Sequence, residues 1–118
     1  IQETAPHPSI LSLLAIVVGR DGLVLEFCYG GTVWDIHRDP DFTTGHRLAV
    51  ICQVASALAH IHGLGVVHRD LKADNVLLQH YVDVADTPVA KLCDFGLGKK
   101  LGADGRTNTP LLPSWYQP

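Results

Sequence analysis

The expected fold class is α+β, and three features of the sequence carry that expectation. Short runs rich in Val, Leu and Ile come in two pairs, Ile10 to Val18 with Leu23 to Cys28, and Val76 to Leu78 with Val89 to Cys93. Each pair is joined by a polar or glycine-bearing turn, the pattern of a β-hairpin. Between the pairs, apolar residues recur at Leu48, Ile51, Cys52, Ala55, Leu58, Ala59 and His62, the spacing of one helix face. The length, 118 residues, is near that of one domain. With 47% hydrophobic and 18% charged residues the chain can build a core, and a disordered or collagen-like class is excluded.

In chain order, Ile10 to Val18 reads as a buried strand. It is too short for a bilayer, which needs about 20 apolar residues, and Gly19-Arg20-Asp21-Gly22 breaks it. Leu23 to Cys28 is its partner, ended by Gly30-Gly31. Thr32 to Ile36 starts a short helical pattern before the loop at Pro40. The helix from His46 to His62 follows, closed by Gly63 and Gly65 where a left-handed cap is needed. Val66-Val67, a polar cluster from His68 to Asn75 and the second hairpin come next. From Gly96 to Pro118 periodicity is lost and a loop is expected. Trp34 and Trp115 are expected to fill core or groove positions.

Nine Lys and Arg against twelve Asp and Glu leave a net charge of −3, so there is no basic field for nucleic acid or an anionic membrane. Cys28, Cys52 and Cys93 form no Cys-x-x-Cys pair and fit neither a disulfide framework nor a zinc knuckle, which points to a reducing, cytoplasmic setting. Cys93 reads as a buried apolar cysteine and not a reactive one. His60 and His62 fall on different helix faces and are not read as metal ligands. The chain starts at Ile1 and has no methionine, so it reads as part of a longer one.

The chemistry lies in His68-Arg69-Asp70-Leu71-Lys72-Ala73-Asp74-Asn75. Phosphoryl transfer needs an acid, a cation and a metal-holding oxygen close together, and this loop carries all three. Asp70 can accept or orient a hydroxyl proton, Lys72 can neutralise the moving phosphoryl group, and Asn75 can hold a metal ion. Asp94, followed by Phe95-Gly96, adds a carboxylate suited to Mg²⁺, with a glycine that lets the backbone turn away.

These two clusters, in this order, resemble the H-R-D-L-x-x-x-N and D-F-G patterns of the protein kinase family. Chance agreement at the six fixed letters of the first is about 10⁻⁸ per start position. The resemblance implies a two-lobed kinase-like fold, here partial: N-lobe strands over 1–27, the hinge and start of the next helix over 28–35, and the C-lobe with catalytic loop and activation segment over 36–118. His7-Pro8 is similar to the turn before the fourth strand, and Leu25 to the gatekeeper. The backbone of Glu26 and Cys28 would then face the adenine of ATP, with Leu77 beneath it. Leu13, His68 and Phe95 match the apolar spine between lobes. Lys72 two residues after Asp70 resembles serine/threonine kinases. Arg69 resembles kinases controlled by activation-loop phosphorylation, with Thr107 and Thr109 as candidate acceptors.

Trp115-Tyr116-Gln117-Pro118 resembles the family's W-M-A-P. Aligning it puts Leu112 where the threonine of G-T-P is usual, and Thr109-Pro110 three residues too early. The glycine-rich loop, the strand lysine and its helical glutamate do not occur in these residues, so the expectation is transfer from ATP with Mg²⁺ to Ser/Thr hydroxyls of a protein substrate in a longer parent, with this stretch alone inactive. The alternatives are a non-catalytic, pseudokinase-like or truncated binding module, and a small-molecule phosphotransferase. Substrate, activator and oligomeric state are not legible. The strands from Ile10 to Phe27 are expected to expose an apolar edge and face.

Overall fold

The computed structural model describes residues 7–19, 22–93 and 99–100. The elements are strands β1 (Leu13–Val17) and β2 (Gly22–Leu25), helices α1 (Val33–Ile36) and α2 (Thr44–Gly63), strand β3 (Val66–Val67), a 3₁₀ turn (Ala73–Asn75), and strands β4 (Val76–Leu78), β5 (Ala90–Leu92) and β6 (Lys99–Lys100). The strands form three antiparallel pairs, β1 with β2, β4 with β5 and β3 with β6. The fold is α+β, and both expected hairpins form.

The first hairpin is shorter than its apolar runs. Ile10 and Leu11 leave it and join β5: Ile10 bridges Leu92 in parallel, the Leu11 N–H donates to Leu92 O at 3.0 Å, and the Leu92 N–H donates to Ser9 O at 2.8 Å. That is why Ile10 and Leu11 are 2% and 3% exposed while Leu14 and Val18 are 63% and 95% exposed. Ile10 to Val18 is therefore core only at its start, a correction to the buried strand expected there. Beyond Leu13 strand β1 is exposed, and the apolar exposure expected for this region is present at Ile16, Leu23, Val24, Leu25 and Phe27. The ladder ends at the next pair: the Glu26 N–H still donates to Ser12 O, but the Ser12 N–H goes to the Glu26 carboxylate and not to its backbone carbonyl.

Helix α2 starts at a capping box. Thr43 Oγ1 accepts the His46 N–H at 3.2 Å, and His46 Nδ1 accepts the Thr43 N–H at 3.1 Å, satisfying two donors at the helix start. It ends with Gly65 at φ +76°, the left-handed position glycine tolerates. The buried face is His46, Val50, Ala57 and Ile61. Leu48, Ile51, Cys52, Ala55, Ala59 and His62 are exposed, and of the expected stripe only Leu58 packs against the core. At about 100° per residue the two stripes lie on roughly opposite sides of the helix. Alpha-2 is apolar around most of its circumference, so periodicity fixes the spacing of a stripe without selecting which one meets the sheet.

The selected stripe packs on β3 and β5 and shares one core with β4, in which Ile61, Leu78 and Leu92 are fully buried, each contributing about 1.5–3 kcal/mol by transfer from water. Gln53 ties the helix to that sheet by donating to Pro88 O at 2.8 Å and accepting the Ala90 N–H at 2.7 Å. Beside that contact, Val50, Ile51, Val54, Leu58, Leu71 and Val76 line an open apolar groove of about 370 Å³. Two further expectations change. Trp34 is 57% exposed, stacked on His37 at 4.5 Å, so it fills no core position. Lys99–Lys100, within the expected loop, pairs with β3. Among the described residues no helix is long and apolar enough to cross a membrane.

Candidate active site

The loop between β3 and β4 carries the chemistry, and three buried side chains hold its shape. His68, 1% exposed, accepts the Asp70 N–H on Nδ1 at 3.1 Å, which places the ring proton on Nε2. Nε2 then donates to Cys93 O at 2.6 Å, joining the loop to the end of β5. Between them Arg69 has φ +73°, the one non-glycine left-handed backbone among the described residues. Such a conformation costs of order 1–3 kcal/mol and persists where the surroundings over-determine it. Here the hydrogen bonds on either side of Arg69 do so.

Asp70 and Asn75, 5% and 6% exposed, form the centre. Asn75 Nδ2 donates to Asp70 O at 2.9 Å and to Asp70 Oδ2 at 3.1 Å, so one side chain fixes both backbone and carboxylate. The 3₁₀ turn makes this reach possible, with the Asn75 N–H donating to Lys72 O at 3.0 Å. Asp70 Oδ1, the other carboxylate oxygen, is buried and accepts no hydrogen bond from a described residue. Lys72 Nζ stands 3.8 Å from it, an ion-pair distance longer than a hydrogen bond. The lysine side chain is 40% exposed against 4% for the aspartate, so solvent screens the pair and its contribution to stability is small. Its placement puts positive charge beside a carboxylate oxygen that receives no hydrogen bond from a described residue.

The expected metal ligands fit a hard cation in their chemistry. Asn75 uses Nδ2 on Asp70, which leaves the amide oxygen as its ligating end, and oxygen donors suit Mg²⁺. The Asn75 carbonyl accepts the Cys93 N–H at 2.9 Å, so Asn75 is held against the residue that precedes Asp94. Asp94, Phe95, Gly96, Thr107 and Thr109 lie outside the described residues. Among the described residues no group of three or more His, Cys, Asp or Glu is placed to hold a metal ion.

The expected nucleotide-facing residues sit at the other end of β4. Glu26 commits its N–H to Ser12 O at 3.0 Å and its carboxylate to the Ser12 N–H at 2.8 Å, leaving its carbonyl for a ligand. Lys91 Nζ lies 3.7 Å from the same carboxylate. Cys28 is buried, and burial pushes its thiol up, with the Glu26 carboxylate adding to the rise and Lys91 opposing it. The Cys28 backbone makes no hydrogen bond with a described residue, which leaves its N–H and carbonyl for a planar polar ligand. Leu77 lies in β4, opposite Lys91 and bridged to Thr32. The segment around Gly30-Gly31 is bound to β4 by Gly30 N–H to Leu78 O at 3.0 Å and Leu78 N–H to Gly31 O at 2.8 Å. One strand thus has Asn75 at its start and the Cys28 segment at its end, roughly 10 Å away at 3.3 Å per residue.

Two positioning residues were not foreseen. Gln53 is a polar residue between apolar helix positions, a signal that could have marked its clamp on β5. Gly30 was read only as a strand end, but a Cβ there would meet His80 O at 2.3 Å. Nothing local in the sequence announces that contact, because His80 arrives from another part of the chain.

All of residues 1–118 match the family described as protein kinase domain. The chain is 35% identical over 100 residues to the calcium and calcium/calmodulin-dependent serine/threonine-protein kinase DMI-3 of Medicago truncatula, covering 82% of this chain and 18% of that protein. It is 34% identical over 107 residues to sperm motility kinase 3A of Mus musculus, covering 88% and 20%. Against the serine/threonine-protein kinase SMU1 of Mycosarcoma maydis it is 31% identical over 122 residues, covering 100% and 16%. These residues therefore span a fifth or less of the length of those relatives. The solved structure of the Rad53 kinase domain and SCD2 in complex with AMPPNP superposes with a TM-score of 0.68 at 30% identity, over 83% of this chain and 38% of that one.

Proposed function

The chain belongs to the protein kinase family, and from that premise we propose that the protein containing it transfers the γ-phosphoryl group of ATP, with Mg²⁺, to Ser/Thr hydroxyls of protein substrates. The observation that carries the proposal is the state of Asp70. Its Oδ2 is fixed by Asn75, its Oδ1 is buried without a hydrogen bond from a described residue, and the Lys72 ammonium stands beside it. A carboxylate held at one oxygen is fixed in direction, and the second oxygen can receive the proton of an incoming hydroxyl. Lys72 would stabilise negative charge on the phosphoryl group as that hydroxyl attacks.

Mg²⁺, held by the Asn75 amide oxygen and Asp94, would supply charge neutralisation at the phosphates. The carbonyl of Glu26 and the backbone of Cys28 would take the adenine edge, with Leu77 against its face. The Rad53 kinase domain that superposes on this chain was solved in complex with AMPPNP, which supports a nucleotide as the ligand. The substrate class rests on the relatives described as serine/threonine-protein kinases.

The test is phosphotransfer from labelled ATP by the full-length protein, to a mixture of proteins and separately to small alcohols and aminoglycosides. Label is expected in protein Ser and Thr only. Asp70→Asn, which keeps shape and the Asn75 contact, is expected to reduce transfer by about 10²–10⁴-fold. Undiminished turnover sinks the role of Asp70. Nucleotide binding without transfer identifies a binding module, and labelled small alcohols move the protein to the small-molecule class.

A further inference from the structure

The segment leading into β1 is held on α2 by two histidines that phosphoryl transfer does not use. His7 Nδ1 accepts the Ser9 N–H at 3.0 Å, so the ring proton is on Nε2, which lies 3.1 Å from Ser56 Oγ of α2. One turn further along α2, His60 places its ring 5.1 Å from that of His7, tilted by 41°. His60 Nε2 is buried and has no hydrogen-bond partner among the described residues. Immediately after His7, Ser9 and Leu11 exchange backbone hydrogen bonds with Leu92 of β5. His7 is thus the pin between α2 and the strand that leads to the catalytic loop's anchor at Cys93.

We infer that the His7–His60 pair is a proton-operated latch, closed while both rings are neutral and released when His7 becomes an imidazolium. Protonation turns Nδ1 from acceptor to donor, so it then opposes the Ser9 N–H it had bound. It also places a cation against the ring of His60, 5.1 Å away between centroids. The other groups facing His7 give no relief. From α2 there is the neutral Ser56 hydroxyl. From β5 comes the Lys91 ammonium, whose partner is the Glu26 carboxylate at 3.7 Å, beyond β2. No described carboxylate pairs with His7.

The same surroundings depress the basicity of His7: burial first, then His60, then Lys91 hold it below its ordinary value of 6.5. The sign follows from proton linkage. A group whose folded value is lowered binds fewer protons folded than unfolded in that window. The latch's stabilisation is therefore complete above 6.5 and is lost as pH falls below 6.5 through the folded value. Releasing the segment uncovers Ile10 and Leu11 and frees one edge of β5, from whose end His68 takes its support.

An NMR titration of the full chain from about pH 8 to about pH 5, following the His7 and His60 rings and the Ser9 and Leu11 amides, tests the latch. The His7 midpoint is expected below 6.5, with both amides moving at the same midpoint. His60→Phe keeps a ring against His7 and removes the imidazole that holds its value down, so it is expected to raise the His7 midpoint toward 6.5. A wild-type His7 midpoint at or above 6.5, amides that do not follow it, or a midpoint unmoved by His60→Phe each overturns the latch. The wild-type titration decides even where the variant does not fold.

Discussion

Gly30→Ala is a stringent test of how the segment after β2 is seated. The added Cβ would lie 2.3 Å from His80 O, 2.8 Å from Leu78 Cβ and 2.9 Å from His80 C. An ordinary carbon–oxygen contact is about 3.3–3.6 Å, so the two backbones must separate by roughly 1 Å. Neither can yield freely, because Tyr29 N–H to Gln79 O at 3.1 Å, Gly30 N–H to Leu78 O at 3.0 Å and Leu78 N–H to Gly31 O at 2.8 Å tie them together. Weakening one or two of these bonds costs about 1 kcal/mol each. The reduced entropy of the unfolded alanine chain returns about 0.4–1 kcal/mol. With overpacking of about 1–3 kcal/mol included, the net loss is roughly 1–5 kcal/mol.

The assay is urea denaturation of wild type and variant at equal slope, compared by midpoint. Gly63→Ala is the internal control. It lies in α2 with nothing within 4 Å of an added Cβ, and it is expected to stabilise by about 0.5–1 kcal/mol. Opposite signs for two Gly→Ala changes cannot come from propensity alone. A Gly30→Ala protein within about 0.5 kcal/mol of wild type refutes the close approach. Under the proposed function the same shift of the Cys28 segment also weakens ATP binding, measurable by calorimetry.

Two further outcomes follow from the site and its surroundings. Asn75→Ala leaves Asp70 O and Oδ2 buried without their donor; a loss of about 2–4 kcal/mol in denaturant is expected, and an unchanged midpoint contradicts the clamp. Cys28 is buried with its thiol pushed up, whereas Cys52 is exposed. Iodoacetamide near pH ~8 should therefore label Cys52 first, read by mass spectrometry, and equal rates would show that the Cys28 thiol is open. Because the folded thiol keeps its proton when the unfolded one loses it, stability should also decline as pH rises past 9.0.

Much of the site was legible because it is local. Asp70, Lys72 and Asn75 lie within six residues, and a tight 3₁₀ turn is enough to bring Asn75 Nδ2 back to Asp70. The helix was legible for a related reason, since the spacing of apolar residues depends only on 3.6 residues per turn. The capping box at Thr43 and the glycine at Gly65 then set its ends within two residues of the expected ones.

Other features depended on which surfaces meet. The residues of α2 that are buried are His46, Val50, Ala57 and Ile61, and the equally periodic stripe with Leu48 and Ile51 is left outside. Ile10 and Leu11 could extend a hairpin by pattern, yet they pair with Leu92, whose edge a reader of the local sequence cannot see. His68 finds its acceptor at Cys93 O, and Gly30 meets His80 O. The sequence by itself determined the element types, the order of the chemical groups and the local geometry of the loop from His68 to Asn75, because chain connectivity bounds those distances. The tertiary structure alone decided the buried helix face, the anchor of His68 and the seating of Gly30, because those depend on packing between segments that no local period relates.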